Sequence, residues 1–350
     1  MTFWGVWVRM IASYTPRWAY KHLRRENKGE KEMKRIVAVF LAVLMMLSLA
    51  ACGSTADDGK YVVGVCQYMP HDSLDQATKG FEDALLGALG EDRVIVKVQD
   101  AGGEISTCST IVDGFLAEKV DLIMANASPA LAAAVSATDE IPVLGTSVTD
   151  YAAALGMSEW NGLVGGNVSG TSDLGPLDEQ AAIIQELFPD AGTVGLLYCS
   201  AEPNSVYQIE IMEDTLTQMG YTCRRFVFND ANDLHSVTQA AVDVADVMYM
   251  PTDNLAANYP ETIGNVLLPA QIPLVTGEAS SCRVAGVATV SIDYYELGYI
   301  TGQMAAQVLT GEADISQMPI AYAAEATKLY NAGLCEKLGI AVPDGYEPLN

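Results

Sequence analysis

A pattern that begins at residues 61–67, which read Tyr-Val-Val-Gly-Val-Cys-Gln, decides the fold. The run is almost continuously apolar, which is typical of a parallel strand covered on both faces. A stretch with three-and-four spacing follows and places Phe81, Leu85 and Leu89 on one helix face. A second apolar run at 94–99 then completes a β-α-β unit. The sequence therefore predicts a parallel sheet flanked by helices.

The alternation continues on both sides of a stretch rich in Gly, Asn and Ser, at 162–175. We expect an α/β protein with two doubly wound parallel-sheet lobes and a ligand cleft between them. Besides the strands at 61–67 and 94–99 and the first helix at 74–89, the predicted elements are helix 105–118, strand 122–126, helix 129–137, strand 143–147, helix 177–188, strand 193–199, helix 205–219, strand 222–228, helix 234–244, strand 247–250, a helix near 256–268, strand 273–277, strand 287–292 and helix 295–309.

The predicted lobes are each built from two chain segments. Residues 61–165 and 287–315 are assigned to lobe 1, and 170–285 and 316–350 to lobe 2. Gly165, Gly166 and Gly170 lie at the junction of the two halves and are predicted to mark the hinge. A surface turn is the alternative role for these glycines.

The N-terminal part has the character of an export signal. Residues 36–51 are apolar or small except for Ser48, follow Lys34 and Arg35, and are short for a membrane span, which needs about 20 residues. They end in Leu-Ala-Ala before Cys52, the pattern of a lipobox whose cysteine thiol receives lipid. We expect residues 1–51 to be an N-terminal extension plus a lipoprotein signal peptide that starts near Met33. A buried helix with an incidental cysteine, or a short amphipathic anchor within 1–32, is the alternative.

Charge separates the same two parts of the chain. Residues 1–51 hold 9 of the 19 basic residues and 3 of the 44 acidic ones, although the whole chain carries −25. The remainder carries 10 basic and 41 acidic residues, a net charge of −31. Such a body does not favour a phosphate backbone, and we expect no nucleic-acid partner. Residues 52–60 form a polar tether, and we expect a lipid-anchored monomer on the extracytoplasmic face of the cell membrane.

The loops after the predicted strands hold the polar residues expected to bind a ligand, because ligands of such sheets bind at the carboxyl ends of the strands. Each of these side chains offers an amide, hydroxyl, imidazole, phenol or carboxylate. Some, such as Ser128, Ser205 and Asp253, have helix capping as an equally plausible role. The candidate ligand-binding residues are Gln67, Tyr68, His71, Asn126, Ser128, Thr146, Ser147, Asn204, Ser205, Asp253, Asn254, Glu278, Asp293 and Tyr294.

Signals for catalysis, a cofactor or a metal are weak. Residues 166–170 read Gly-Asn-Val-Ser-Gly, which is not the spacing of a nucleophile elbow, and no Gly-rich nucleotide loop follows the first strand. The six cysteines from Cys66 to Cys335 are dispersed and show no metal spacing, so free thiols are favoured over disulfides. We expect a binding protein with no catalytic residue, no metal and no cofactor.

Several motifs resemble the ABC-transporter substrate-binding family that includes tryptophan- and tyrosine-binding lipoproteins. The resemblance covers the whole chain after Cys52. Where family members often carry a proline after Val-Thr-Asp, this chain has Tyr151, which is expected to alter the cleft wall. The motifs are Val-Gly-Val-Cys-Gln-Tyr at 63–68, Asp-Leu-Ile at 121–123, Ala-Ser-Pro-Ala at 127–130, Ile-Pro-Val at 141–143, Val-Thr-Asp at 148–150, Gly-Gly-Asn-Val-Ser-Gly-Thr-Ser-Asp at 165–173, Glu-Pro-Asn-Ser at 202–205, Pro-Thr-Asp-Asn at 251–254 and Ile-Asp-Tyr-Tyr-Glu-Leu-Gly at 292–298.

The resemblance implies a type I periplasmic-binding-protein fold with three crossovers. It also implies a small solute held between the lobes and passed to an ABC permease and ATPase, without chemistry by the binding protein. We expect an amino acid, most plausibly aromatic, with its carboxylate at Ser128, Thr146 and Ser147. Its ammonium would face Asp253, Glu278 or Asp293, and its side chain would lie near Tyr68 and Tyr294. Another solute (a branched amino acid, a nucleoside or a sugar) and a receptor ectodomain are the alternatives.

Overall fold

A computed structural model describes residues 59–349 of the 350-residue chain. The signal peptide predicted at 36–51, the start at Met33 and the lipidation site at Cys52 lie outside the described residues. Within the described part, no helix combines the length and apolar character that crossing a membrane requires.

The first sheet has six strands, all parallel, in the spatial order β11-β5-β4-β3-β1-β2. Its central strands are buried on both faces, as their apolar sequence predicts. The strands are β1 (Tyr61–Gln67), β2 (Val94–Asp100), β3 (Leu122–Asn126), β4 (Val143–Val148), β5 (Val168–Ser172) and β11 (Ala321–Tyr322).

The second sheet has seven strands in the order β13-β12-β10-β9-β8-β6-β7. All neighbours are parallel except β12, which runs antiparallel to β10. The strands are β6 (Thr193–Cys199), β7 (Thr222–Phe228), β8 (Val247–Met250), β9 (Leu274–Thr276), β10 (Ala288–Ile292), β12 (Ala326–Tyr330) and β13 (Glu347–Pro348).

Helices cover both faces of each sheet and build separate apolar cores around it. Phe115 and Leu131 pack on one face of the first sheet, and Phe81 and Leu85 on the other. The helices are α1 (Asp72–Leu89), α2 (Ile105–Glu118), α3 (Ser128–Ala137), α4 (Tyr151–Leu155), α5 (Leu177–Leu187), α6 (Pro203–Gln218), α7 (Ala231–Ala241), α8 (Asn254–Asn258), α9 (Pro260–Leu267), α10 (Ala279–Val284), α11 (Tyr294–Thr310) and α12 (Ala332–Leu338).

The chain passes between the lobes three times: after β5, after β10 and after β11. This agrees with the three-crossover fold, but the crossover points differ from the predicted boundaries. The strand predicted at 287–292 for lobe 1 belongs to the second sheet, where β10 pairs with β9 and β12. Strand β5, whose last three residues fall in the segment predicted for lobe 2, belongs to the first sheet, as does β11. Helix α11 packs on α1 of lobe 1.

The predicted hinge at Gly165, Gly166 and Gly170 is not where the chain crosses. Gly170 lies inside β5 with a φ of 145°, and a Cβ there would stand 2.1 Å from the backbone oxygen of Gly145. Gly170 and Gly145 therefore let strands β5 and β4 approach each other closely. The first crossover comes later, between β5 and α5.

Tyr151 does not form part of the cleft wall, contrary to the expectation from the family pattern. Its ring is 1% exposed, and its hydroxyl donates to the backbone oxygen of Thr171 over 3.0 Å. A Cβ at Gly145 or Gly170 would overlap this hydroxyl. Tyr151 therefore fills a space inside lobe 1 that two glycines leave open.

The six cysteines from Cys66 to Cys335 are free thiols. All are buried except Cys223, which is half-buried. The prediction of free thiols in apolar surroundings agrees with their placement.

Candidate functional site

A narrow cavity lies between the lobes at the carboxyl ends of the strands, and its empty space of about 280 Å³ includes open solvent at the mouth. Only about 10 Å³ of it admits the centre of a water molecule, so the two lobes meet closely here. Both lobes contribute to its wall: His71, Ser73, Leu74, Ser147, Thr149, Asp173 and Tyr294 from the first, and Asn204, Thr252, Asp253, Asn254, Ala257 and Glu278 from the second.

Direct contacts close the two lobes over this cavity. The Ser73 hydroxyl donates to Glu278 Oε2 over 2.7 Å, between α1 of one lobe and the loop after β9 of the other. His71 Nε2 and Asn254 Oδ1 are 3.3 Å apart across the same cleft. The structure is therefore in a closed arrangement.

Four buried polar atoms in the cavity wall have no hydrogen-bond partner: His71 Nδ1, Ser147 Oγ, Asn204 Oδ1 and Thr252 Oγ1. Buried polar groups in native proteins are nearly always paired, because an unpaired one costs about 1–3 kcal/mol. Four such atoms around one cavity indicate that its walls are arranged to hydrogen-bond a polar ligand.

Two residues at the carboxyl ends of first-lobe strands hold unusual backbone conformations. Ser147 at the end of β4 has a φ of 53°, and Ala127 at the end of β3 has a φ of 87°. Residues other than glycine rarely adopt positive φ, and such strain concentrates at binding sites. At Ser147 the unusual backbone coincides with one of the unpaired hydroxyls in the cavity wall.

Glu202 organises the second-lobe side of the cavity, although the sequence prediction did not include it. Its carboxylate is 1% exposed and accepts from the backbone N–H groups of Asn254 and Leu255. It also accepts from the side-chain amides of Asn204 and Asn254. This fixes both amides at the cavity wall, so Glu202 is a positioning residue.

The charged groups in the wall are all acidic. Asp173, Asp253 and Glu278 line the cavity, whereas no Lys or Arg of the described residues does. Burial, and then the neighbouring Glu202, raises the pKa of Asp253 to about 7. Burial likewise raises the pKa of Asp173, although the hydroxyls of Tyr294 and Thr149 oppose the shift. No three His, Cys, Asp or Glu side chains between residues 59 and 349 are placed to hold a metal ion.

Half of the predicted site residues line the cavity, and a direct role for the others stays a prediction. Those at the wall are His71, Ser147, Asn204, Asp253, Asn254, Glu278 and Tyr294. Those that do not line it are Gln67, Tyr68, Asn126, Ser128, Thr146, Ser205 and Asp293.

The residues outside the wall are held by other contacts. Thr78 of α1 donates to Gln67 Oε1 over 2.6 Å and accepts from Asn126 Nδ2 over 3.0 Å, so these amides fasten α1 to the sheet. Asp293 caps α11 through the backbone N–H of Glu296. The rest are likewise engaged: Tyr68 packs in the first core, Thr146 accepts from Thr171, Ser128 is buried at the start of α3, and Ser205 hydrogen-bonds Asp253.

The sequence prediction missed Ser73, Thr149, Asp173 and Thr252 at the wall. Thr149, Asp173 and Thr252 stood within the quoted motifs, and the available signal was their position one or two residues after a strand, whereas Ser73 lies in the first turn of α1. For Asp173 that signal was hidden because β5 was not predicted as a strand.

The family model described as "ABC transporter substrate binding protein" matches residues 62–346. This chain belongs to the ABC transporter substrate-binding protein family. Proteins of this family work outside the cytoplasm and bind small molecules for an ABC permease. The prediction of family, fold and substrate-binding function is confirmed.

Three relatives show how the substrate-binding chain compares with known members. A tyrosine-binding protein of Clostridioides difficile is 32% identical over 84% of this chain and 88% of its own length. The structure of an ABC domain from Streptococcus pneumoniae in complex with L-Trp is 30% identical, with a TM-score of 0.78 over 81% of this chain and 96% of its own. The ligand-free, open structure of a substrate-binding protein with adhesive properties from Clostridium difficile is 29% identical over 83% and 99%, with a TM-score of 0.65.

The last two comparisons bear on the state of the cleft. Their sequence identities are nearly equal, but the L-Trp complex superposes better than the open structure. This agrees with the contacts that join Ser73 to Glu278 and His71 to Asn254 across the closed cleft.

Proposed function

We propose that this substrate-binding protein captures an aromatic amino acid by cleft closure and delivers it to the permease and ATPase of an ABC importer. The observation that carries the proposal is the set of four buried, unpaired polar atoms that both lobes place around the cavity between them. The tyrosine-binding relative and the relative with bound L-Trp support this class of ligand.

An amino acid suits a closed polar cavity because both of its charges need partners once water is excluded. Of the groups expected to hold the carboxylate, Ser147 lines the cavity and has a free hydroxyl. Of the aromatic residues expected beside the ligand side chain, Tyr294 lines it. Contacts to both lobes are made only when the cleft is closed, so binding favours closure.

The protein would act as a monomer anchored by lipid on Cys52 at the extracytoplasmic face of the membrane, without chemistry of its own. Support for the anchor comes from the signal pattern and its boxed cysteine. A sugar ligand is less favoured, because sugar sites commonly stack Trp. Trp160, the single Trp in the described part, stacks on Tyr151 instead of lining the cavity.

Calorimetry of the full-length protein, freed of co-purified ligand, tests the proposal against the twenty amino acids, sugars and nucleosides. We expect binding of at least one of L-Trp, L-Tyr and L-Phe and none of sugars. Binding of a sugar or nucleoside without any aromatic amino acid would contradict the aromatic assignment.

A pair of variants locates the binding event in the cavity. Thr252 Oγ1 and Thr289 Oγ1 are both buried and unpaired, but only Thr252 lines the cavity. If the Thr252 hydroxyl bonds the ligand, Thr252→Val weakens binding about tenfold, the effect of one lost hydrogen bond. Thr289→Val should leave affinity unchanged. Equal effects of the two variants would place binding elsewhere.

A further inference from the structure

Asp173 has an environment that a cationic ligand group would complete. It follows β5, is 5% exposed, and accepts hydrogen bonds from the Tyr294 hydroxyl over 2.8 Å and the Thr149 hydroxyl over 3.0 Å. These side-chain donors are neutral, so no formal positive charge of the described side chains balances the carboxylate inside the cavity. A buried carboxylate without a cationic partner is costly.

The charged side chain that acts on Asp173 has the same sign. Glu278 stands in the loop after β9 of the other lobe and raises the pKa of Asp173 in addition to the larger effect of burial. Asp173 and Glu278 therefore face one cavity from opposite lobes, and closing the cleft brings two negative charges towards each other. Like charges at short range repel each other more strongly when water is excluded.

The other acidic pair in this region is arranged differently. Asp253 Oδ2 accepts from the backbone N–H of Cys199 over 2.7 Å, and Oδ1 from that of Ala256 over 2.9 Å. Its charged neighbour Glu202 belongs to the same lobe and is held by four N–H donors. Closure does not create this pair, whereas it does bring Glu278, which caps α10 through the backbone N–H groups of Ser280 and Ser281, to the same cavity as Asp173.

We propose that Asp173 receives the ammonium group of the ligand and that Glu278 supplies the second carboxylate, so that stable closure requires a positively charged amine. This inference deepens the proposed function and rests on its amino-acid ligand. The ammonium offers three donors to the two facing carboxylates and removes their repulsion. A ligand with the same ring and carboxylate but without the amine leaves two like charges facing each other.

Calorimetry of the full-length protein with three probes tests the proposal: L-tryptophan, indole-3-propionate, which lacks the amine, and tryptamine, which lacks the carboxylate. We expect L-tryptophan to bind at least about 100-fold more tightly than indole-3-propionate, since the site's buried charges stay unpaired without the amine. Equal affinities of these two probes for the wild-type protein would overturn the proposal without the need for any variant.

Asp173→Asn should weaken L-tryptophan binding by about 50-fold or more and should not weaken indole-3-propionate binding, because the variant also removes the repulsion from Glu278. The ratio of the affinities for L-tryptophan and indole-3-propionate then becomes much smaller than in the wild-type protein. Asp253→Asn is the matched control, because it should alter the affinities of both probes by similar factors and preserve their ratio. A preserved ratio in Asp173→Asn, with a thermal unfolding curve that shows a folded protein, would overturn the role of Asp173.

The proposed function and this inference fail in different ways. If no aromatic amino acid binds, the aromatic assignment fails, and mass spectrometry of the co-purified small molecule identifies the ligand. A ligand without an amine then overturns the inference as well. A ligand with an amine is compared with its des-amino analogue in wild type and Asp173→Asn, and the same collapse of the ratio is expected.

Discussion

At the scale of single residues, Asp253 makes the stability of the empty protein depend on pH. Burial and Glu202 raise its pKa from 3.8 to about 7, so between these values the folded state binds a proton that the unfolded chain releases. The free energy of unfolding therefore falls as pH rises from about 4 to 7, by up to about 1.4 kcal/mol per pH unit, and then levels off.

Chemical denaturation at pH 5, 6 and 7 checks this slope. Asp253→Asn removes the titrating group and should flatten the curve relative to wild type. His235 does not line the cavity, so His235→Gln is a suitable second variant that should keep the Asp253 slope. An unchanged slope in Asp253→Asn would show that other groups set the pH dependence.

The limits of prediction from sequence are also visible at single residues. Ser147 and Glu278 were predicted because Ser147 ends one recognisable strand and Glu278 directly follows another. Asp173 was missed because its strand, Val-Ser-Gly-Thr-Ser at 168–172, has no apolar run. That strand exists because Gly170 fits against Gly145 of the neighbouring strand, a tertiary contact that periodicity does not reveal.

At the scale of elements, the bounds of five strands predicted from apolar runs agree with the structure to the residue: 61–67, 122–126, 193–199, 222–228 and 247–250. The lobe to which a late strand belongs was harder to predict, because it depends on which of the two sheets that strand joins at its edge. The predicted helix near 256–268 is interrupted before Pro260, which begins α9. The local sequence pattern therefore predicts the elements, whereas the crossover points depend on which strands pair over long distances in the sequence.

Helix α11 follows the second crossover and packs on α1 of lobe 1. Glycine at the contact lets the two helices approach each other closely. A Cβ at Gly298 would lie 1.9 Å from the backbone oxygen of Ala77. Gly298→Ala therefore forces the helices apart, and we expect a loss of about 2 kcal/mol or more in unfolding free energy. Gly87 lies on an open face of α1. Gly87→Ala should instead stabilise the protein by about 0.5–1 kcal/mol. Urea denaturation measures both, and a neutral Gly298→Ala would contradict the close approach.

At the scale of the whole molecule, binding energy must close two lobes that lie within residues 52–350, whose net charge is −31. Surface charges are screened within about 8–10 Å, so their repulsion acts weakly across the exterior. The charges inside the cleft are buried and screened much less. Closure is therefore governed by the few contacts that exist only when the lobes meet.

Two neighbouring residues of α1 each contact the other lobe, one at a buried site and the other at an exposed site. Ser73 donates to Glu278 at a buried site, whereas Asp72 pairs with Arg283 over 3.0 Å with side chains that are 52% and 46% exposed.

Both contacts form only in the closed state, so losing either one weakens ligand affinity through the closure equilibrium. Ser73→Ala removes a hydrogen bond to a buried carboxylate, and we expect about a tenfold rise in Kd. Asp72→Asn removes an exposed ion pair and should raise Kd by no more than about threefold. Calorimetry with the ligand that the binding experiment identifies measures the Kd of both variants. Added salt should reduce only the effect of Asp72→Asn. If Asp72→Asn weakened binding as much as Ser73→Ala, surface charge would govern closure more than the buried contact does.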